Sequence, residues 1–534
     1  MQEQNNGSFF DPKTITAVVL VGAVWFGWQS YLAKKYPDYN KPKPAVTAPT
    51  TTATENPPAS TTAVSTTTDT KSVPTAETKE LTYKDDNVSF TITSHGMGLK
   101  GYTLNKYVNY EHEPIRLGLS DTDSMFELKL VSSPKPLDFD LKEEAPGHYV
   151  GVAQVGQSTI TRTLSYDQGL RAFTNKIAVS NVSDEIKPGL SLVVPEKITA
   201  KPSKGFLFPS YEHQDFFVKH ANTSDTVNFS SAKENVNKSF SQVRLMSAGS
   251  QYFAAAILDK SELIPETVVT SDKENKTGRA ELIYKPIQAQ GSLALEQVFY
   301  AGPKSIDILK SVDPEFTSVI DHGFFGFIAR PLLYVMKAFY SVIGNWGVAI
   351  ICLTLLVRLC VLPFAVMSAR SMKAMQKIQP LLAQLREKYK ADPVALNRET
   401  YALMKQHKAN PVGGCLPMLF QIPVFFALYR VIGSSIELYH SPFAGWITDL
   451  SAPDRFYVLP VIMGLSMFVQ QKMTPSTMDP AQAKIMAFLP LVFGVFMLQL
   501  PSGLTLYMCV STLFGITQQM IFLRETKAAT QIAK

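Results

Sequence analysis

Four stretches without a single charged residue occupy the last two hundred positions of this 534-residue chain, and they restrict its fold more than any other feature. Residues 338–357, 409–429 and 456–471 are 20, 21 and 16 residues long, and 485–523 runs for 39 with Pro501-Ser502-Gly503 near its middle as a turn. At ~1.5 Å of rise per residue, about 20 apolar residues cross a hydrocarbon core of ~30 Å. A further charge-free interval, residues 14–33, lies near the N-terminus. The pattern predicts six spans, at about 14–32, 345–367, 414–436, 456–471, 484–500 and 503–523. A cleavable signal peptide competes for the first of them. Its n-region, with Glu3, Asp11 and only Lys13, is weakly basic, and no small-x-small site follows, so residues 1–33 read as a retained signal anchor.

Charged residues make up 18% of the chain, below the ~25% of soluble proteins, which excludes a disordered chain and argues against an ordinary cytosolic enzyme. Residues 321–534 carry 19 Lys and Arg against 9 Asp and Glu, whereas residues 1–320 carry 32 against 36. The segment 368–410 holds nine basic and three acidic residues and is expected on the cytoplasmic side. The segment 437–455, with Arg455 against Glu437, Asp449 and Asp454, is expected outside. Counting spans then puts both termini in the cytoplasm and everything between the first and second spans outside.

That outer region has two parts. Residues 34–80 read as a linker: positions 41–80 hold 13 Thr, 6 Pro and 6 Ala with no aromatic residue, too little apolar surface to offset ordering. Residues 81–320 alternate apolar and polar positions, as in Val88-Ser89-Phe90-Thr91-Ile92, Ser158-Thr159-Ile160-Thr161-Arg162-Thr163-Leu164 and Leu190-Ser191-Leu192-Val193-Val194. This is the period of half-buried antiparallel strands, and it predicts an all-β sandwich. Six of the eight histidines precede residue 323 at spacings that match no metal or triad pattern. The four cysteines, Cys352, Cys360, Cys415 and Cys509, all lie in apolar segments and read as small buried hydrophobes. No metal or cofactor is expected, and no GxxxxGK[ST] loop is present.

From Phe324 the period becomes helical. Arg330 and Lys337 fall on one face of 324–340, which reads as an amphipathic helix in the membrane interface. Met375, Ile378, Leu382, Leu385 and Tyr389 are spaced 3, 4, 3 and 4, a seam for a partner helix, and Asp392-Pro393 supplies a cap and a first-turn proline for that partner. A cytoplasmic helical hairpin over 370–409 follows.

Arg358 lies about a dozen residues into its span. A guanidinium keeps its proton, and placing it at mid-bilayer costs ~2.5–3.5 kcal/mol on insertion scales. No Asp or Glu lies inside any expected span; Thr354, Gln421, Gln499, Thr505, Tyr507 and Gln518 do. An arginine among polar neighbours and without a carboxylate implies a water-filled cavity. Arg430, two turns from the outer end of its span and near Glu437, is expected to reach the surface instead. The spans 456–471 and 484–500 are short, which thins the bilayer beside them. Fourteen of 18 methionines follow residue 320, a composition suited to varied apolar partners. Together these features describe a wet, positively charged groove in a thinned membrane, which eases passage of a polar segment while an apolar helix moves into lipid.

The segments NPVGGCLPMLFQIPVFFALY (410–429), SPFAGWITDLSAPD (441–454), FLPLVFGVF (488–496) and LPSGLTLYMCVST (500–512), with Arg358, closely resemble the YidC/Oxa/Alb family of membrane protein insertases over about 321–534. The anchor plus β-domain is similar to the Gram-negative form, whose periplasmic domain is a β-supersandwich. The resemblance implies a five-helix core with a groove open to cytoplasm and lipid, Arg358 on its floor, and Thr354, Gln421, Phe425, Tyr507 and Met508 on or beside it. It implies an inner-membrane insertase and chaperone, not an enzyme. The implied partners are nascent membrane proteins, the ribosome, the Sec translocon (SecYEG with SecDF) and membrane lipid, with no nucleic-acid readout. Relatives often carry a second aromatic where this chain has Met508, and many carry an apolar or aromatic residue at Arg430, to which no role is assigned. The short tail after Arg524 leaves ribosome docking to the hairpin and the 472–484 loop.

A secondary transporter is the alternative, but such proteins carry intramembrane Asp, Glu or His relays and internal repeats, and this chain shows neither. A sugar-binding envelope module would explain the β-domain and leave Arg358 and the hairpin without purpose.

Overall fold

The computed structural model describes residues 78–532 except 119–123, 200–212, 222, 231, 233, 286, 288–290, 391, 408–415 and 474–489. The expected anchor, nearly all of the linker, Cys415 and most of the 472–484 loop lie outside the described residues.

Where side chains alternate in polarity, the chain pairs into antiparallel sheets. Val88, Phe90 and Ile92 turn inward in the strand Val88–Thr93, and Ser89 and Thr91 turn out. The described residues form three sheets. One has four strands, Glu80–Lys84, Val88–Thr93, Leu99–Val108 and Pro114–Arg116, in chain order. A second orders Asn237–Phe240, Glu266–Asp272, Thr277–Tyr284, Leu190–Lys197 and Glu127–Leu130. The third has nine strands, ordered Thr223–Asn228, Gln214–His220, Val243–Ser250, Phe253–Asp259, Ser292–Pro303, Ala172–Ser180, Ser158–Asp167, His148–Val155 and Asp140–Ala145. One apolar core joins them, making an all-β sandwich domain. Leu190–Val194 does not alternate: every residue is buried, because this strand has a neighbour on each side and is covered on both faces.

Alternation puts Arg162 on the buried side of its strand, and the domain accommodates it with a polar chain. Its Nε donates to Asn175 Oδ1 at 2.7 Å, its Nη2 to the Phe126 carbonyl at 2.8 Å, and its Nη1 to the Gly96 carbonyl. Asn175 donates onward to Gln297, Gln297 to Tyr284 Oη at 2.7 Å, and Tyr284 to Asp259 at 2.6 Å, where Arg244 closes the series at 3.2 Å. Burial pulls the Arg162 guanidinium down to about 9, against the opposing pull of Glu127.

Glu196 is buried nearby in the second sheet, accepting from the Gly118 amide and from Gln214 Nε2, both at 3.3 Å. Burial pushes its carboxyl up to about 7, partly opposed by these two donors and by Lys304. An acid whose pKa rises on folding contributes stability that is complete below its unfolded value and is lost as pH climbs through the folded one. Glu196→Gln should therefore change little at pH 5 and stabilise the domain at pH 8, by ~3 kcal/mol at most at about 1.4 kcal/mol per pKa unit. Amide exchange in Leu190–Lys197 of the full chain reads this; equal protection of both proteins at pH 8 would contradict it.

After the last strand come α1 (Ile306–Val312) and a 3-10 turn, Pro314–Val319, whose cap Asp313 accepts from the Glu315 amide and pairs with Lys260 at 2.6 Å. The helices that follow are α2 (Gly326–Ile343), α3 (Trp346–Lys388), α4 (Pro393–Gln406), α5 (Leu416–Ser434), α6 (Val458–Met473), α7 (490–497) and α8 (Ser502–Ile532). By length and composition alone, Gly326–Ile343, Trp346–Met375 and Ser502–Phe522 are long and apolar enough to cross a membrane, and Leu419–Ser434 and Val458–Met473 are shorter apolar helices. The helix expected over 324–340 starts and ends later, between Phe325 and the left-handed Gly344.

The clearest departure is α3. A span at 345–367 and a separate hairpin arm were expected; one helix of 43 residues carries both. Asn345 opens it, accepting from the Val348 amide at 3.1 Å, and neither Pro363 nor Pro380 breaks it. At ~1.5 Å per residue it is about 65 Å long, twice the thickness of the hydrocarbon. Beyond that thickness Met375, Ile378 and Leu382 pack against Leu403 and Met404 of α4, while Leu385 and Tyr389 are only half-buried. Asp392 caps α4 by accepting from the Val394 and Ala395 amides. Cys360 is exposed rather than buried, as are its neighbours Leu359 and Phe364, although Phe364 meets Phe420 of α5 at a ring-centre distance of 4.5 Å.

Gly503 sits in a close approach: a Cβ there would meet the Leu450 carbonyl at 3.1 Å and Ile350 at 3.3 Å, so a larger residue would need its neighbours to give. This close approach brings the 449–454 loop onto the start of α8, where Ser502 Oγ donates to the Asp449 carbonyl at 2.6 Å. The loop after α5 enters the sandwich in the same way. Ile436 joins the β-domain core, and Tyr439 Oη donates to the Val108 carbonyl at 2.8 Å among Tyr110, Tyr252 and Phe253.

Candidate functional site

Three helices bring the polar residues of the apolar segments together. Arg358 on α3 donates to Ser511 Oγ on α8 through both Nε, at 2.8 Å, and Nη2. Ser511 stands one helical turn after Tyr507, and Tyr507 Oη accepts from Gln421 Nε2 of α5 at 2.6 Å. A path of polar contacts thus runs across α3, α8 and α5. Arg358 is half-buried; the ionisable group that bears on it is Tyr507, not a carboxylate. From Trp346 the helix rises ~18 Å to Arg358.

Other expected residues sit differently. Thr354 is fully buried and donates to its own helix, to the Ile350 carbonyl at 2.6 Å, while the guanidinium bonds Ser511 instead. Thr505 likewise donates to the Pro501 carbonyl at 3.2 Å. Phe425 is half-buried beside Phe426 and Phe493, with ring centres 5.6 and 6.4 Å away, and Met508 packs half-buried in the same apolar cluster. Gln499 is not inside a helix: it is exposed in the turn before α8, because α7 ends at 497. Arg430 does not meet Glu437. It lies 3.8 Å from Asp321, because Glu437 is taken by Lys337 of α2 at 2.8 Å.

Ser511 is the residue that sequence reasoning missed. A serine inside an apolar run carries little signal alone, and only its four-residue offset from Tyr507 places it on the arginine-facing stripe. Among the described residues no group of three or more His, Cys, Asp or Glu could hold a metal ion. With no carboxylate relay and no nucleophile-base pair, this cluster offers hydrogen-bond donors, one fixed positive charge and access to solvent.

Comparison with known proteins agrees with both halves of the architecture. The family described as YidC periplasmic domain matches residues 80–335, and the family described as 60Kd inner membrane protein matches 338–529. A membrane protein insertase YidC of Pelobacter propionicus is 35% identical over 483 residues, 84% of this chain and 87% of the relative. One of Geobacter sp. strain M21 is 54% identical over 227 residues, and the match spans only 42% of either chain. Among solved structures, an active YidC insertase crystal structure with its first transmembrane domain resolved matches 83% of this chain at 18% identity and a TM-score of 0.36.

Proposed function

We propose, because this chain belongs to the YidC family of membrane protein insertases, that it inserts inner-membrane proteins and helps them fold, working by itself and with the Sec translocon. The observation that carries the reading is the hydrogen-bonded run Arg358–Ser511 and Gln421–Tyr507 within otherwise apolar helices. A client's polar segment exchanges water for these donors at mid-depth, which lowers the cost of burying it. The client's apolar helix meanwhile moves into lipid past the exposed Leu359, Phe364, Phe420 and Phe426. No bond is made or broken.

The six-span topology, with cytoplasmic termini and a periplasmic β-domain, belongs to the same reading. The 435–440 loop is bound to the sandwich, and the 449–454 loop to the start of α8, which supports placing these turns on the side of the β-domain. α2 is read as interfacial despite its length. Its mid-helix Lys337 pairs at 2.8 Å with both Asp307 of α1 and Glu437, which ties the middle of α2 to groups next to the sandwich. The helical pair α3–α4 is read as the cytoplasmic hairpin that receives clients and ribosomes.

The test is depletion of the protein in cells, complementation by variants, and pulse-labelling of a short single-span client. Parent protein should restore insertion. Leu382→Asp, which puts a charge between α3 and α4, should splay the hairpin and reduce client capture several-fold, with the membrane core intact by protease resistance. Normal insertion after depletion without any complementing gene would refute the function; normal insertion by Leu382→Asp would refute the hairpin's part in it.

A further inference from the structure

A cavity of about 90 Å³ lies between the sandwich and the outer end of α5, apart from the intramembrane cluster. Its polar lining comes from His213, Asp215, Gln251 and Lys304 on the sandwich side, Asp321 in the segment leading to α2, and Arg430 on α5. The fixed charges balance, Lys304 and Arg430 against Asp215 and Asp321, and they are loosely paired. Asp215 lies 3.2 Å from His213, and Asp321 lies 3.8 Å from Arg430. Lys304 falls in the field of Asp215, Asp321 and Glu196.

One atom marks the cavity as a binding site. Gln251 is 6% exposed, its Nε2 donates to the Gly433 carbonyl, and its Oε1 has no partner among the described residues. Next to Asp321, the buried His322 also lacks a partner on either ring nitrogen among the described residues. Buried polar atoms in folded proteins are satisfied in the great majority, so an orphaned acceptor in a charged cavity calls for a donor from a ligand.

We propose that this cavity holds the headgroup of a zwitterionic aminophospholipid, its phosphate between Lys304 and Arg430 and its ammonium toward Gln251 Oε1 and the two carboxylates. A balanced lining suits a ligand that is itself balanced. An anionic headgroup would face two carboxylates and bring no cation to Gln251, and a trimethylated choline has no N–H to donate there. The level is right as well. Arg430 lies four residues from the end of α5, ~6 Å along the axis, in the layer where headgroups sit. Below it Phe426 is exposed and offers an apolar path for acyl chains. The assignment rests on α5 being a crossing helix, and its readout is lipid retention, not insertion.

The experiment uses the purified full chain in detergent with dioctanoyl phosphatidylethanolamine, phosphatidylcholine or phosphatidylglycerol, or with free glycerophosphoethanolamine, bound ligand being counted by native mass spectrometry. The ethanolamine lipid should bind about tenfold more tightly than the other two lipids, a difference of ~1.4 kcal/mol. Gln251→Leu should remove that preference, whereas Lys304→Met, which takes a phosphate partner from all three lipids, should weaken binding of each several-fold. Both positions are interior, so Thr226→Trp, which narrows the cavity from the edge of the sheet, is the check that keeps the fold, verified by an unchanged melting profile. Equal retention of the three lipids by the parent protein would overturn the proposal, as would a preference that survives Thr226→Trp. Binding of glycerophosphoethanolamine as tight as that of the lipid would transfer the site to a soluble phosphoethanolamine compound and overturn the lipid assignment. Loss of insertion activity in these variants bears on the function and not on this site.

Discussion

Arg358→Ala should lose most insertion of short clients with acidic translocated segments, tenfold or more by initial rate, while Arg358→Lys keeps much of it. At an effective dielectric near 20, unit charges 4 Å apart attract by ~4 kcal/mol, and hydration of the groove reduces that figure. A tenfold loss needs only ~1.4 kcal/mol. Lysine retains the charge but not the planar fork that gives Ser511 Oγ two donors. The decisive comparison is one client in acidic, neutral and basic versions, inserted by the three proteins at matched abundance. The neutral version should suffer less, since polar contacts through Gln421 and Tyr507 remain. If alanine handles the acidic version as the parent does, the charge has no electrostatic part in insertion.

The second large effect belongs to the β-domain. Arg162→Ala would strip donors from Asn175 and from the Gly96 and Phe126 carbonyls at the buried end of a continuous polar chain. A buried acceptor left without its donor costs ~1–3 kcal/mol, and three are stripped here, so a loss of several kcal/mol is expected. For a domain of this size each kcal/mol moves the melting temperature by ~2–4 °C, so a drop of about 10 °C is expected. The readout is thermal unfolding of the full chain followed by proteolysis within residues 80–303. A shift below the error of the measurement would mean that the polar chain contributes nothing net. Replacing Arg162 with methionine and Asn175 with leucine together should recover part of the loss, because no buried group on either of those two side chains is then left waiting.

Much of this architecture can be read from residue patterns, and the exceptions share one physical cause. Alternation at Val88–Ile92 locates a strand because the period is local, and the charge-free runs locate helices for the same reason. The mid-span arginine also announces itself, since its cost depends only on depth. What escapes local reading is who meets whom. Glu437 is seven residues from Arg430, yet it pairs with Lys337, a hundred positions earlier, and Arg430 turns to Asp321. Ser511 finds Arg358 across 153 positions. The unbroken α3 is a different kind of miss: the helix runs on past Pro363 and Pro380, both exposed, and no local pattern announces that the apolar segment and the hairpin arm are one element.

The 435–440 loop gives the assembly a clock. Tyr439 Oη reaches the Val108 carbonyl across 331 positions, and Ile436 completes a core whose other members precede it by more than a hundred residues. The last strand of the sandwich ends at Pro303, 136 positions before Tyr439, so at synthesis rates of ~5–20 residues per second the pocket around Val108, Tyr252 and Phe253 waits roughly 7–27 s for Tyr439. During that interval the sandwich is a folded domain with one aromatic hollow open to solvent. Only when the residues after α5 emerge can that hollow close. On the topology proposed above, closure of the sandwich is thus a timed report that α5 has crossed the membrane.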